Sequence, residues 1–270
     1  MLKQISLLIL CAVAIVLFAT PVHACTSAVV SGKVTLDGRP LLWKNRDTDF
    51  MRNHVDYVKG ERYDFIAVVN SANAYLKEAW MGTNSAGFAL MNTQSYNLVD
   101  VKGDEERGAA NGRVIYRALE VCATVEDFCH FLDTISKPSD IEANFGVIDA
   151  QGGAAMFEVD YYKYVMYDAN NPKDAPYGYI ARTNFSFAGK VNEGAGYVRY
   201  MEADQVLMKA SATGNITPQF IFNDLSRSFR NRMLDIDLRS GGYNRPQASG
   251  WFIDQDFIPR SSTSCSVVGQ

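Results

Sequence analysis

The sequence predicts an α+β fold in which two antiparallel sheets are covered by helices. Three observations carry this reading: strand-like alternation from Cys25 onward, a switch to helical period after Gly103, and a second run of strands, helices and a closing strand after Pro138. The first strand is Thr26-Ser27-Ala28-Val29-Val30. Asp37-Gly38 gives a turn, and Leu41-Leu42-Trp43 continues the hairpin. Further strands are read at Asp64–Val69, Glu78–Met81 and Gly87–Met91, with Asn84-Ser85-Ala86-Gly87 as the turn between the last two. Gly103-Asp104-Glu105-Glu106 then leads into a helix marked by Val114, Ile115, Ala118, Leu119 and Cys122. Thr124-Val125-Glu126-Asp127 opens a second helix that turns Phe128, Phe131 and Leu132 inward. Strands return at Asn144–Asp149, Ala154–Glu158, Tyr164–Tyr167 and Tyr179–Asn184. Two helices follow at Tyr200–Ala210 and Pro218–Ser228, and a last strand runs from Arg260 to Val268.

Upstream of the first strand lies a different kind of segment. Lys3 precedes an almost unbroken apolar run from Ile5 to Thr20, and Val22-His23-Ala24 closes it with small residues at the −3 and −1 positions. This reads as a signal peptide over residues 1–24, too short for a membrane span of about 20 apolar residues with flanks. A lipoprotein signal is the competing reading, and His23 before Ala24 disfavours it. The expectation is an exported protein, periplasmic or secreted, with no stable membrane span after signal removal. Residues 25–270 are read as a single domain, because no linker or repeat divides them.

Loss of residues 1–24 removes Lys3 and no acid, leaving 25 basic against 30 acidic residues, a net charge of −5. A mildly acidic chain without a basic block excludes nucleic acid as partner. Only His54 and His130 remain beyond the signal, and no cysteine pair has zinc-ligand spacing, so neither metal nor cofactor is expected. Cys122 and Cys129 are either a disulfide or two free thiols, and an odd cysteine is left over in both cases. A homo-oligomer is left open.

Cleavage after Ala24 gives Cys25 a free α-amine. Such an amine has an ordinary pKa near 7.7–8.0, so it can take the thiol proton of its own residue and make the nucleophile without a histidine. The oxyanion formed on attack then needs preorganised donors.

Cys25-Thr26-Ser27, the hairpin after it and Trp43-Lys44-Asn45-Arg46-Asp47-Thr48-Asp49-Phe50 resemble the choloylglycine hydrolase and penicillin V acylase superfamily. The nearer likeness is to the branch typified by the acyl-coenzyme A:6-aminopenicillanic acid acyltransferases. Members carry a Cys that becomes N-terminal, followed by an Arg-Asn-x-Asp-aromatic motif. Two registers fit. One aligns Arg46 and Asp49 with the Arg and the Asp; the other aligns Lys44 and Asp47. The first is favoured, because lysine does not replace arginine's fork without loss, and Asp47 stands as the alternative to Asp49. The resemblance implies Arg46 against the cysteine sulfur and the acid on the α-amine. It also implies an oxyanion donor at Asn92-Thr93, just beyond the Gly82–Leu90 strand and turn. A second donor is implied at Asn184 in Ala181-Arg182-Thr183-Asn184-Phe185, and a helix-starting arginine at Arg199.

The resemblance further implies a four-layer αββα sandwich of the N-terminal-nucleophile hydrolase kind. Members continue past the strand near Gln270, so the last strands of the sandwich are expected to be missing. The implied activity is hydrolysis of a linear amide in a small-molecule N-acyl substrate, through an acyl-enzyme on Cys25. Acyl transfer from a thioester or amide to an amine is the first alternative, and a non-catalytic exported binding protein or lipoprotein the second. Bile-salt conjugates, penicillin V, N-acyl lipids and acyl amino acids all remain open as substrates.

Overall fold

The computed structural model describes residues 24–99, 108–240 and 254–270. The expected signal segment up to residue 23 and the lead-in Gly103–Glu106 lie outside the described residues. Strand β1 (Thr26–Val30) pairs antiparallel with β2 (Leu41–Asp47), from Val30 opposite Leu41 to Thr26 opposite Asn45. Gly38, at φ 77°, sits in the connection in a conformation glycine adopts without a Cβ penalty. On its other edge β1 pairs with β10 (Tyr179–Arg182), and β2 pairs with β13 (Thr263–Gly269). Among the described residues this first sheet has the order β10-β1-β2-β13.

The second sheet is a seven-stranded meander in chain order. It comprises β3 (Asn53–Val58), β4 (Phe65–Asn70), β5 (Met81–Asn84), β6 (Ala89–Gln94), β7 (Ala143–Ile148), β8 (Ala154–Val159) and β9 (Tyr164–Asp168). Helices α1 (Asn111–Val121) and α2 (Val125–Thr134) interrupt it between β6 and β7. Thr124 and Asp127 close a capping box at the start of α2, as the sequence signal foretold.

Alternation along the strands sorts the side chains into three apolar layers. Phe65, Leu90, Phe145 and Phe157 face Ile115 and Leu119 of α1 and Phe128 of α2. Ala28, Leu41, Trp43 and Ala181 face Ala203 and Leu207 of α3 (Tyr197–Ser211), with Ile221 and Leu225 beside them. Val29, Leu42, Met91, Met156 and Ile180 fill the space between the sheets. The layers run helix, sheet, sheet, helix, which is the expected αββα sandwich.

Several element readings are corrected. Strand β3 was not anticipated; it is an edge strand whose alternating apolar residues, Val55 and Tyr57, are exposed. The strand expected at Glu78–Met81 instead begins at Met81 and ends on Asn84, which opens the following turn. The Asn84 Oδ1 accepts from the Ala86 and Phe88 amides, and its Nδ2 donates to the Leu119 and Cys122 carbonyls at the end of α1. Asn84 is thus the turn former its context suggested. The helix expected over Pro218–Ser228 is a single turn, Pro218–Phe220, continued by a π-helical turn, Ile221–Leu225. The two-residue strands β11 (Arg230–Asn231) and β12 (Ile236–Asp237) are too short for a periodicity signal. Cys122 and Cys129 are both free thiols.

Candidate active site

The inter-sheet layer changes character along its length. Leu42 lies in the apolar part of β2; two and four residues on, the same face carries Lys44 and Arg46. Both cations reach across to the other sheet. The Lys44 ammonium donates to the Trp80 carbonyl and to Asn92 Oδ1, each at 3.0 Å. Arg46 Nη2 donates to Asn70 Oδ1 at 2.7 Å, and its guanidinium lies over the Trp80 ring, 4.9 Å from the centroid. Burial lowers the Lys44 pKa to about 8, so the ammonium form persists at neutral pH.

Cys25 sits one step beyond the β1 ladder. Because Thr26 pairs with Asn45, the register sets Cys25 across from Arg46. Its thiol is 3.9 Å from the Asp47 carbonyl oxygen, and the residue is buried. Its backbone N–H, still joined to Ala24, donates to Asn184 Oδ1 at 3.0 Å. Asn184 is held in turn by Arg199, whose Nη2 donates to the same oxygen at 2.8 Å, and its own Nδ2 donates to the Gln94 carbonyl. The other fork of Arg199 donates to the Cys25 carbonyl at 2.7 Å and to Thr26 Oγ1 at 2.8 Å. Arg199 thus fixes the residue on both sides of the Cys25 backbone. It is fully buried, and desolvation pulls its pKa down to about 10.

Of the residues singled out by sequence, Cys25, Arg46, Asn184 and Arg199 come together here. Asn92 lines the same cavity, its Oδ1 engaged by Lys44. Thr93 does not line it; the side chain is fully buried and its Oγ1 accepts from Asn144 Nδ2. The structure places the two candidate acids differently. Asp49 is exposed past the end of β2, whereas Asp47 is the last residue of that strand and lies beside Cys25. Asp47 is almost wholly buried, with its carboxylate taken up by Arg260 Nε at 3.0 Å and by the Thr263 hydroxyl. Burial raises its pKa, against the pull of Arg260. The Cys25 nitrogen is therefore held by an amide oxygen, not by an acid.

Sequence reasoning passed over Lys44 as a site residue, and over Asn70, Trp80, Arg260 and Thr263 altogether. Lys44 had a signal, its place in the alternative register. The other four had none, being brought in by sheet pairing from distant segments.

These groups frame a cavity of about 420 Å³. Cys25, Lys44, Arg46 and Asn92 line it together with Asn70 and Trp80, while Phe50 and Leu76 supply apolar surface. Among the described residues no cluster of three or more His, Cys, Asp or Glu side chains is placed to hold a metal ion. No helix among them is long and apolar enough to cross a membrane. The arrangement offers a thiol under two cations, beside a buried carboxylate, with its own nitrogen held in a fixed direction.

The chain is similar to several proteins of known structure. An N-acylethanolamine-hydrolyzing acid amidase ortholog of Caenorhabditis elegans aligns with TM-score 0.50 and 15% identity, over 74% of this chain and 89% of that one. A conjugated bile acid hydrolase of Clostridium perfringens aligns with TM-score 0.45 and 14% identity, over 74% of each chain. A penicillin V acylase of Agrobacterium tumefaciens aligns with TM-score 0.41 and 16% identity, over 72% of this chain and 67% of that one. No curated relative matches the sequence. The family model for acyl-coenzyme A:6-aminopenicillanic acid acyl-transferase matches residues 35–223, more than half of the chain. That match begins downstream of Cys25, so the case for the cysteine rests on its surroundings. The chain has the N-terminal-nucleophile hydrolase fold and belongs to the acyl-coenzyme A:6-aminopenicillanic acid acyl-transferase family.

Proposed function

We propose that the protein hydrolyses linear amides of small N-acyl substrates, with Cys25 as its N-terminal nucleophile after export and removal of residues 1–24. The observation that carries this reading is the treatment of Cys25. Its nitrogen is aimed by Asn184 and Arg199, while its thiol faces a cavity holding Arg46 and Lys44. Once Ala24 is gone, the freed α-amine keeps Asn184 Oδ1 as an acceptor and takes the thiol proton. The sulfur then bonds to the substrate carbonyl carbon, and the oxyanion is met by the Asn92 amide, whose Oδ1 is already occupied by Lys44. The C–N bond breaks as the α-ammonium returns its proton to the leaving amine. Water then attacks the thioester, releasing the acid and restoring the thiol.

Cys25→Ser tests this. Turnover of N-acyl amides is expected to fall by about three orders of magnitude or more while the circular dichroism spectrum is unchanged. Full activity in that variant refutes the mechanism. Intact mass supplies the other half of the test: exported protein should begin at Cys25, and a mass that retains Met1 or carries lipid on Cys25 removes the amine the mechanism needs. The family match favours acyl transfer as a second reading. Formation of a new amide from a thioester donor and an amine acceptor distinguishes it from hydrolysis.

A further inference from the structure

Strand β7 is apolar except at one position, Asn144. Alternation puts Asn144 on the face it shares with Gly146 and Ile148, which looks across to the first sheet. Directly beside it stand Thr93 on β6 and Glu158 on β8. These three form a polar row on adjacent strands, and each is 1% exposed or less.

A buried polar row is costly unless its groups are matched. Here the partners come largely from one segment, Arg182 to Ala188, which carries Asn184. Asn144 Nδ2 lies 3.1 Å from the Thr183 carbonyl oxygen and 3.2 Å from that of Phe185, the residues on either side of Asn184. Both carbonyls can only accept, which fixes the orientation of the Asn144 amide. Its Oδ1 accordingly accepts from the Ser186 hydroxyl at 2.6 Å. Glu158 takes the Arg182 guanidinium and the Phe187 and Ala188 amides. Between these anchors Asn184 sends its side chain to the Cys25 nitrogen, at 3.0 Å.

The Asn144 amide reaches the other support of Asn184 as well. Its Nδ2 is 3.1 Å from Thr93 Oγ1, and the next residue of β6, Gln94, gives the carbonyl that accepts from Asn184 Nδ2 at 2.8 Å. Packing alone does not call for an amide at this position. An apolar residue of similar size would fill the space without needing hydrogen-bond partners. We infer that Asn144 is a positioning residue of the site: by holding the Thr183 and Phe185 carbonyls, it fixes the direction in which Asn184 Oδ1 meets the Cys25 nitrogen. Asn144 does not line the cavity, so its effect belongs to the chemical step and not to substrate binding.

This inference rests on the reading of Cys25 as nucleophile, and its test keeps the two apart. Exported protein is treated with iodoacetamide at neutral pH, and labelling of each cysteine is followed by peptide mass spectrometry. A Cys25 amine held by Asn184 takes the thiol proton and speeds labelling. Asn144→Ala is expected to slow labelling of Cys25 about tenfold, and Asn184→Ala at least as much. The double variant should be no slower than Asn184→Ala, to within about twofold, because one residue acts through the other. Cys122, 1% exposed in the layer between this sheet and its helices, reports loosening of the fold and should stay unlabelled throughout. For turnover of octanoyl p-nitroanilide, kcat should fall about tenfold in Asn144→Ala with KM within about twofold. An unchanged Cys25 rate in Asn144→Ala, or effects that multiply in the double variant, overturns the inference. So does a rise in KM with kcat unchanged. If Asn144→Ala loosens the fold and Cys122 is labelled, Ser186→Ala decides, since it removes the hydroxyl on Asn144 Oδ1 and leaves both carbonyl contacts. It is expected to slow Cys25 about threefold, and an unchanged rate there overturns the inference. The expected labelling pattern in a protein that hydrolyses no N-acyl amide supports the positioning role and ends the nucleophile reading instead.

Discussion

Replacing Lys44 by Met changes the pH dependence of stability in a way that can be worked out from the structure. Burial draws the Lys44 pKa from 10.5 to about 8, although the Cys25 charge pulls the other way. Between those values the unfolded chain holds a proton that the folded protein has released, so stability rises with pH. The slope is at most about 1.4 kcal/mol per pH unit. Below about pH 8 both states hold the proton, and the full cost of the buried ammonium, about 3 kcal/mol, is present and constant. Lys44→Met abolishes that cost. It also strips the Trp80 carbonyl and Asn92 Oδ1 of a donor, at about 1–3 kcal/mol each. The two effects oppose each other, so the variant should lie within about 3 kcal/mol of the parent at pH 7, with the sign set by how well those acceptors find water. The informative quantity is the difference between the two proteins as pH rises. From pH 7 to 9.5 the parent should gain about 2 kcal/mol on the variant from the Lys44 proton itself, since groups away from the cavity are common to both. Urea unfolding followed by far-ultraviolet circular dichroism at pH 7, 8, 9 and 9.5 measures this. Two curves that stay parallel across the range would show that Lys44 is not a desolvated ammonium in the folded protein.

Two further substitutions probe how the sheets are joined. Glu158 and Arg182 form a fully buried ion pair at 2.6 Å between β8 and β10, and Glu158 also accepts from the Phe187 and Ala188 amides. Glu158→Gln leaves a buried guanidinium uncompensated and should cost about 3–5 kcal/mol, read as a drop in the urea midpoint at constant slope; a loss below about 1 kcal/mol would mean that water reaches the pair. Gly146 on β7 faces β1 and β2 so closely that an added Cβ runs into Met91 Cε, Val29 Cγ2 and Leu42 Cδ1. Gly146→Ala should therefore destabilise by about 1–3 kcal/mol through overpacking, and an unchanged melting temperature would contradict the inter-sheet spacing.

How much of this was legible beforehand depended on whether the information was local. The Cys25 hairpin, the capping box at Thr124 and the switch from strand to helix after β6 each lie within a few residues, and sequence alone located them. Strand β3 escaped because it is short and its one alternating apolar pair, Val55 and Tyr57, is exposed and not packed on a core. Arg260 and Thr263 escaped for a different reason. They meet Asp47 only because β13 pairs with β2 across more than two hundred residues of chain, and no spacing encodes that contact. Arg199 was legible as a helix-start arginine. Its grip on both Asn184 and the Cys25 carbonyl was not.

The two registers read in Lys44–Asp49 set their residues differently in the strand. Arginine's superior fork argued for aligning Arg46 with the motif's arginine, which carried Asp49 along as the acid. That argument treats the segment as a line of residues. In a strand, Lys44 and Arg46 share one face, while Asn45 and Asp47 share the other. The first pair enters the cavity and bonds Asn92 and Asn70 of the opposite sheet; the second turns to Ser226, Arg260 and Thr263. The strand ends at Asp47, so Asp49 has no ladder to hold it near Cys25. Lys44 with Asp47 and Arg46 with Asp49 are both three positions apart, so spacing does not choose between them; only the first pair lies wholly within β2. Arg46 is a second cation on the cavity face, one register step past the Thr26–Asn45 pair.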